Sequence, residues 1–351
     1  MIFVYFCAWD EGMSDALRVA YISSGAFAEQ CAVSLASLFS NNTDFEEIEA
    51  VIIEDGISDQ DKCRLLDLAS KFGRKLDFIT MPDPAQYYGS EKFSQKHVGH
   101  TYARMILGEI LPQTWDRVLC LDSDMLILGS LKDLWNTDIS DYYIGGVENG
   151  VGDKVMVSQL GVRPGTLYCN SGLGYVNLSA VRKDGIENKY REYMNSVFDS
   201  GRKLLAYEEE VINKCCYPKI LRLPYKYNVM TINLVFTYDE FMSFRGAGAF
   251  YSEQEVNEAI RDPIIAHVAN LFYIKKRMWE KDSDAPFTDE YMKYRGMTGW
   301  ADLPAIDEKK TFRQLFMKHI WHMMPRRMAL AAAAFIRNHV RPLLSKIRDD
   351  E

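Results

Sequence analysis

Two aspartates, Asp122 and Asp124, stand one residue apart at the end of the apolar run Val118-Leu119-Cys120-Leu121. Met125-Leu126-Ile127-Leu128 follows at once. At i and i+2 on an extended chain both carboxylates point to one face. Set among buried strand residues, such a pair is costly without a counter-ion. It suits one hard divalent cation, and a cation held by carboxylates and diphosphate oxygens is the usual way to bind a nucleotide diphosphate. Without that context D-x-D reads as a solvated turn. His267, at the end of Ile264-Ile265-Ala266, is a second candidate. Neutral imidazole suits Mn²⁺ beside carboxylates, although a hydrogen-bonded core histidine has the same appearance. Glu208-Glu209-Glu210 is either a set of working carboxylates or a charged helix start, which the macrodipole favours.

The elements around these residues alternate. Residues 18–23, 50–55, 75–81 and 117–124 read as strands. Helices are expected over 29–39, from Ser58 and Asp59 to Phe72, and over 97–111 before Pro112. A β-α-β-α-β order of this kind gives a parallel sheet covered by helices. Ligands bind at the carboxyl ends of its strands, where Asp122 and Asp124 lie. Further on, 142–148, 167–178 and 262–270 read as strands, and 183–202 and 208–216 as helices. Residues 83–96, 149–166 and 229–258 read as loops. The body, 18–300, reads as one domain, and 309–348 as a helical tail broken near Pro325 and Pro342.

The 351 residues are 48% apolar and 26% charged, which excludes disorder, collagen and coiled coil for the whole chain. The net charge of −8 conceals an asymmetry. Residues 309–351 carry ten Lys/Arg and three acidic residues, a net +7, so the rest carries −15. An acidic body argues against nucleic acid and leaves an anionic partner to the tail. Seven scattered cysteines without zinc spacing read as reduced thiols in a cytoplasmic compartment. No stretch reaches the roughly 18–20 apolar residues that span a bilayer. The apolar start lacks a basic region and a cleavage site, so Met13 is an alternative start to Met1.

Arg117-Val-Leu-Cys-Leu-Asp-Ser-Asp-Met-Leu-Ile-Leu-Gly-Ser-Leu-Lys-Asp-Leu-Trp135 resembles the metal-binding segment of family 8 glycosyltransferases. These are retaining GT-A enzymes that use UDP-sugars. Ala32–Leu38 with Asn41-Asn42, Thr101–Arg104, Tyr168–Gly172 with Val176–Leu178, Glu208–Asn213 and Leu223–Asn228 resemble other family segments, in order. The resemblance covers about 18–280. It implies a GT-A type, Rossmann-like α/β fold with a mixed sheet flanked by helices. It also implies Mn²⁺, with Mg²⁺ as the substitute, held by Asp122, Asp124 and His267. Arg104 would lie near the diphosphate and sugar, Asn170 and Ser171 would line the sugar pocket, and Glu208 and Glu209 would sit near the anomeric carbon. The implied reaction transfers galactose or glucose from UDP to a glycan or lipid-linked saccharide with retention, in lipopolysaccharide or other surface-glycan biosynthesis.

The chain departs from the family in three places. The first strand ends Ile22-Ser-Ser-Gly-Ala-Phe27, without the family's two carboxylates, which leaves Ser24 and backbone groups for the base. The family's D-Q-D is E-E-E here. The lysine expected six residues after the histidine is Tyr273, so its role passes to Lys275 or Lys276. In the tail, Phe312, Leu315, Phe316, Ile320 and Met323 recur at helical spacing among basic residues, as do Met328, Leu330, Phe335, Ile336, Val340 and Leu344. That pattern fits a helix on an anionic membrane surface, here the cytosolic face of the inner membrane. Packing onto the acidic body or a second subunit is the alternative. Two other functions remain open at this level: a sugar nucleotidyltransferase, for which Ser23-Ser24-Gly25-Ala26 is a poor phosphate loop, and a catalytically silent glycan or nucleotide-sugar-binding protein.

Overall fold

A computed structural model describes residues 16–83, 99–152, 155, 160–163, 165–202, 204, 206–268, 276–305, 307 and 311–340. The alternative starts, His97 and Lys275 lie outside the described residues, as do most of 83–96 and the Pro342 break.

The first half is built as alternating strands and helices: β1 (Leu17–Ser24), α1 (Ala28–Asn41), β2 (Ile48–Asp55), α2 (Asp59–Lys71), β3 (Lys75–Thr80), β4 (Arg117–Asp122) and β5 (Met125–Ile127). Next come β6 (Ile144–Gly146), β7 (Leu173–Asn177), α3 (Leu178–Lys183), α4 (Ile186–Asp199), α5 (Tyr207–Cys216), β8 (Ile220–Arg222) and β9 (Val229–Met230). The chain continues through α6 (Tyr238–Arg245), α7 (Glu253–Arg261), β10 (Ile265–His267), α8 (Thr288–Arg295), α9 (Phe312–Met323) and α10 (Arg326–Phe335).

The main sheet has seven strands in the order β3-β2-β1-β4-β7-β6-β8. β1, β2, β3 and β4 are parallel, whereas β7 runs antiparallel to both β4 and β6. It is thus a mixed α/β sheet flanked by helices. Both faces are covered. One core packs α1 and α2 with Trp135 and Tyr175, and the other packs Trp115, Tyr190 and Met194 of the opposite face. β2 is buried from Ile48 to Glu54. Covered on both faces, such strands read as continuous apolar runs rather than alternations, which is why they are visible in the sequence.

A second sheet, β5-β10-β9, begins directly after the aspartate turn. Three side chains of α1 and its C-cap residue fix that segment. Ser37 Oγ accepts from Ile127 N at 3.0 Å, Asn41 Nδ2 donates to Ile127 O at 2.9 Å, and Asn42 Oδ1 accepts from Leu131 N at 2.7 Å.

Several expected elements differ. Within 97–111 the described chain is a 3₁₀ turn, Gly99–Met105, then a short helical turn from Leu107. Residues 102–108 are all buried, so packing on every side, not an amphipathic face, sets the backbone. Within 183–202 the helix is α4 alone, from Ile186 to Asp199; Lys183 is the last residue of α3, and Gly185 at φ 62° parts the two. A left-handed residue ends one helix before the next begins. Only Leu173–Asn177 of 167–178 is strand; Tyr168–Gly172 is turn and bridge lining the site described below. Residues 229–258 are mainly helical, not loop, with α6 and α7 each started by a capping box.

Candidate active site

β4 ends between β1 and β7, where parallel pairing gives way to antiparallel pairing. Asp122 lies opposite Ile22 of β1, and its N–H donates to Gly172 O at 2.9 Å. The turn that follows is tied to β1 by Ser123 Oγ, which donates to Ile22 O at 3.0 Å. β10 then runs antiparallel to β5 with His267 opposite Met125, and Val268 N donates to Asp124 O at 3.2 Å. This pairing carries an imidazole to the acidic turn. His267 Nε2 lies 3.3 Å from Asp124 Oδ1 and 3.6 Å from Asp122 Oδ2.

One ligand atom from each of Asp122, Asp124 and His267 falls within 4.8 Å of the other two. The cluster fits a divalent cation. His267 Nδ1 is 3.1 Å from Asn228 Oδ1, which places the ring proton there and turns Nε2 toward the carboxylates. An amide fixing the tautomer in this way is the usual support of a histidine ligand. A Cβ at Gly172 would stand 2.5 Å from His267 Cε1 and 2.8 Å from Asp122 Oδ2, so only glycine leaves the space. Burial opposes charge on both members of the pair, and their mutual attraction overrides it. Asp124 is held below the usual carboxylate range by His267 and Arg277, and His267 is raised by Asp124 and Asp122. A bound dication would take the place of the Nε2 proton and release it.

Arg104, buried on the 3₁₀ turn, pairs through Nη2 with Asp122 Oδ1 and lies 3.6 Å through Nη1 from Glu208 Oε1. Desolvation opposes its charge, but Asp122 and Glu208 raise its pKa further. α5 opens at Tyr207, a non-glycine residue at φ 47°, a conformation that costs on the order of 1–3 kcal/mol and is tolerated where the surroundings impose it. The next two residues face the site. Glu208 Oε1 accepts from Ser171 Oγ at 3.1 Å. Glu209 Oε1 accepts from Asn149 Nδ2 at 2.9 Å, while Oε2 accepts from Asn170 Nδ2 at 3.1 Å and Ser171 N at 3.2 Å. Asn170 Oδ1 in turn accepts from Asn228 Nδ2 at 2.9 Å. A chain of amides thus joins the imidazole to Glu209. Burial and the Glu208 charge raise the Glu209 pKa, and the Ser171 and Asn149 donors oppose them. Glu210 turns away to Arg202 and Tyr193.

A cavity of about 160 Å³ opens beside the aspartates, lined by Ile22, Ser24, Phe27, Thr101, Arg104 and residues 122–124. Ser24 is therefore at the mouth of the same site. Lys276 is placed elsewhere: Nζ donates to Lys281 O at 2.7 Å and to Asp307 Oδ1 at 3.0 Å. The cation facing the turn is its neighbour Arg277, with Nη1 3.9 Å from Asp124 Oδ2 and its guanidinium 5.0 Å from the Trp279 ring centre. Asn149 also escapes the sequence reading, and Gly172 and Asn228 enter it only within family-like segments, without a role. Amides and glycines are common in turns, and only the fold shows what they touch.

The profile "Glycosyl transferase family 8" matches residues 18–267, ending at the candidate histidine ligand. General stress protein A of Bacillus subtilis is 24% identical over 80% of this chain and 94% of its own length. Lipopolysaccharide 1,3-galactosyltransferase of Salmonella typhimurium is 19% identical over 82% and 80%. Among solved structures, the galactosyltransferase LgtC in complex with donor and acceptor sugar analogs superposes with a TM-score of 0.62 at 20% identity, covering 81% of this chain and 96% of that one. The WbbM bifunctional glycosyltransferase gives 0.67 at 16%, over 83% of this chain and 51% of that one. These two likenesses confirm the GT-A fold. With a family match across most of its length and an acidic pair and histidine assembled at the end of β4, this chain belongs to glycosyltransferase family 8 and is a glycosyltransferase.

Proposed function

We propose that the protein transfers a hexose, galactose or glucose, from a UDP-sugar to a glycan or lipid-linked saccharide, with retention of configuration and dependence on Mn²⁺. Mg²⁺ is the natural substitute. The observation that carries this reading is the meeting of Asp122, Asp124 and His267 beside Arg104 and the amide-held Glu209. The relatives named above, a lipopolysaccharide galactosyltransferase and a galactosyltransferase bound to donor and acceptor sugar analogs, support a hexose donor and a surface-glycan acceptor.

Residues 18–300 would form the transferase domain. Asp122, Asp124 and His267 would hold the cation. Bound there, it would supply Lewis acidity to the leaving diphosphate, an effect worth several kcal/mol. Arg104 would fix the donor, and Arg277 in place of Lys276 would neutralise the diphosphate. Ser24 and Phe27, at the cavity mouth, would meet the nucleoside. Asn170 and Ser171 would line the sugar pocket. Glu208 and Glu209 would face the anomeric carbon, where a fixed carboxylate offsets developing positive charge. Near-wild-type turnover of Glu209→Gln would exclude Glu209 as a nucleophile. The tail, 309–348, would hold the enzyme to anionic lipid on the cytosolic face of the membrane.

The test is UDP release from a panel of nucleotide sugars, with and without Mn²⁺. Metal-dependent release from UDP-glucose or UDP-galactose, lost in Asp124→Asn, is expected. Release from a non-uridine donor alone would overturn the UDP assignment. The absence of any metal-dependent nucleotide-sugar binding would favour a silent binding protein.

A further inference from the structure

Glu209 is held by neutral donors, and among the described residues no lysine or arginine touches it directly. Among the described residues, the charged and titratable groups around it are Glu208 on its own helix, Tyr168 and Cys169 on the segment before β7, and Arg245 from the last turn of α6. Arg245 reaches Glu209 through one residue. Its Nη2 donates to Asn149 Oδ1 at 3.3 Å, and Asn149 Nδ2 donates to Glu209 Oε1 at 2.9 Å. An amide between a guanidinium and a carboxylate is satisfied in only one orientation, oxygen toward the cation and nitrogen toward the anion. Flipped, it would set donor against donor and acceptor against acceptor.

The fold builds this contact in. α6 ends at Gly246 with φ 63°, which stops the helix where Arg245 meets the Asn149 loop. Gly150, at φ 58°, packs so closely on Phe241 and Phe250 that a Cβ would stand 2.8 Å and 3.0 Å from their rings. The Arg245 guanidinium also lies 5.8 Å from the Phe241 ring centre, and its Nε is buried without a hydrogen-bond partner among the described residues. A half-buried cation held this way, one amide from a half-buried carboxylate, is balanced by that carboxylate's charge.

We propose that Arg245 is a positioning residue for sugar transfer: acting through Asn149, it sets the orientation of that amide and holds Glu209 as a fixed carboxylate. The proposal rests on the reading above that Glu209 faces the donor sugar. Opposite charge nearby lowers a carboxyl pKa and its removal raises it.

The full-length protein and its Arg245→Met, Arg245→Lys, Asn149→Ser and Glu209→Gln variants would be assayed for Mn²⁺-dependent hydrolysis of UDP-glucose and UDP-galactose across pH. Arg245→Met is expected to lower kcat about tenfold or more, with KM changed less than about threefold. Its acidic limb should move up by about one pH unit. Arg245→Lys should bring the limb back, since charge is restored. In a Glu209→Gln background, Arg245→Met should cost less than about twofold more, because no carboxylate is left to balance. Should Arg245→Met not fold, Asn149→Ser carries the same expectations. Normal kcat and pH profile in both variants, with Glu209→Gln impaired, would overturn the role of Arg245 alone. Wild-type kcat in Glu209→Gln would overturn the reading of Glu209 and this proposal with it. Additive losses in the double variant would mark Arg245 as merely structural.

Discussion

The smallest residue in the site sets its tolerance. Gly172 has no left-handed φ, so alanine there meets no backbone strain. Its obstacle is steric, since the new Cβ would press on His267 and Asp122. Gly172→Ala is expected to weaken Mn²⁺ binding at least about tenfold, within the range for disturbing a ligand's support, and to shift Tm by only a few degrees. Calorimetric titration and a melting curve check this, and wild-type affinity would refute it. At this scale the sequence was informative about the ligands and silent about their supports. Asp122 and Asp124 stand out because carboxylates among buried strand residues need an explanation. Asn228, which holds the His267 ring, lies 39 residues away from it, and the family-like segment that it ends says nothing of that contact. Lys276 shows the converse: a lysine was expected to meet the diphosphate, but the chain turns Arg277 to the aspartates instead.

The helices carry a second kind of information. α4 begins after Gly185, and Glu187 in its first turn accepts Gly108 N at 2.6 Å. A carboxylate at a helix N-terminus ordinarily ionises readily. Here burial dominates, the charge of Glu109 adds to it, and the pKa is raised to about 7. The folded state therefore binds more protons than the unfolded chain between pH 4.5 and about 7. Stability from this group is present below that window and is lost as pH rises through it, by up to about 3 kcal/mol. Denaturant unfolding at pH 5 and pH 8 should show the loss, and Glu187→Gln should flatten it. An unchanged slope in the variant would assign the effect to another group. The break at Gly185 also shows why the helix expected over 183–202 starts early in the sequence reading: Lys183 ends α3, and a single glycine is a weak stop signal. Buried strands such as β2 announce themselves, whereas a wholly buried turn such as 102–108 has no polar face to betray its period.

At the scale of the whole molecule, the C-terminal helices both pack and protrude. Trp321 stacks on Phe236, Ala329 and Leu330 are buried, Arg326 pairs with Glu240, and Asn338 donates to Phe244 O. Phe312, Leu315, Phe316, Met323, Met328 and Phe335 remain exposed, Phe312 at 84%. No described helix is long and apolar enough to cross a membrane. The tail thus packs one side on α6, as the alternative reading expected, and leaves another side bare. The protein is expected to sediment with anionic vesicles and not with neutral ones, and to be released by high salt, since each basic residue near such a surface contributes about 1 kcal/mol. Phe312→Ser with Phe316→Ser should weaken the association, and equal binding to neutral vesicles would contradict it. The spacing of the candidate metal ligands has a consequence in time. Asp124 and His267 are 143 positions apart in the chain. At ribosomal speeds of about 5–20 residues per second, the acidic turn waits roughly 7–29 s for its imidazole. A cation site built on all three side chains would therefore be complete only once His267 has been synthesised.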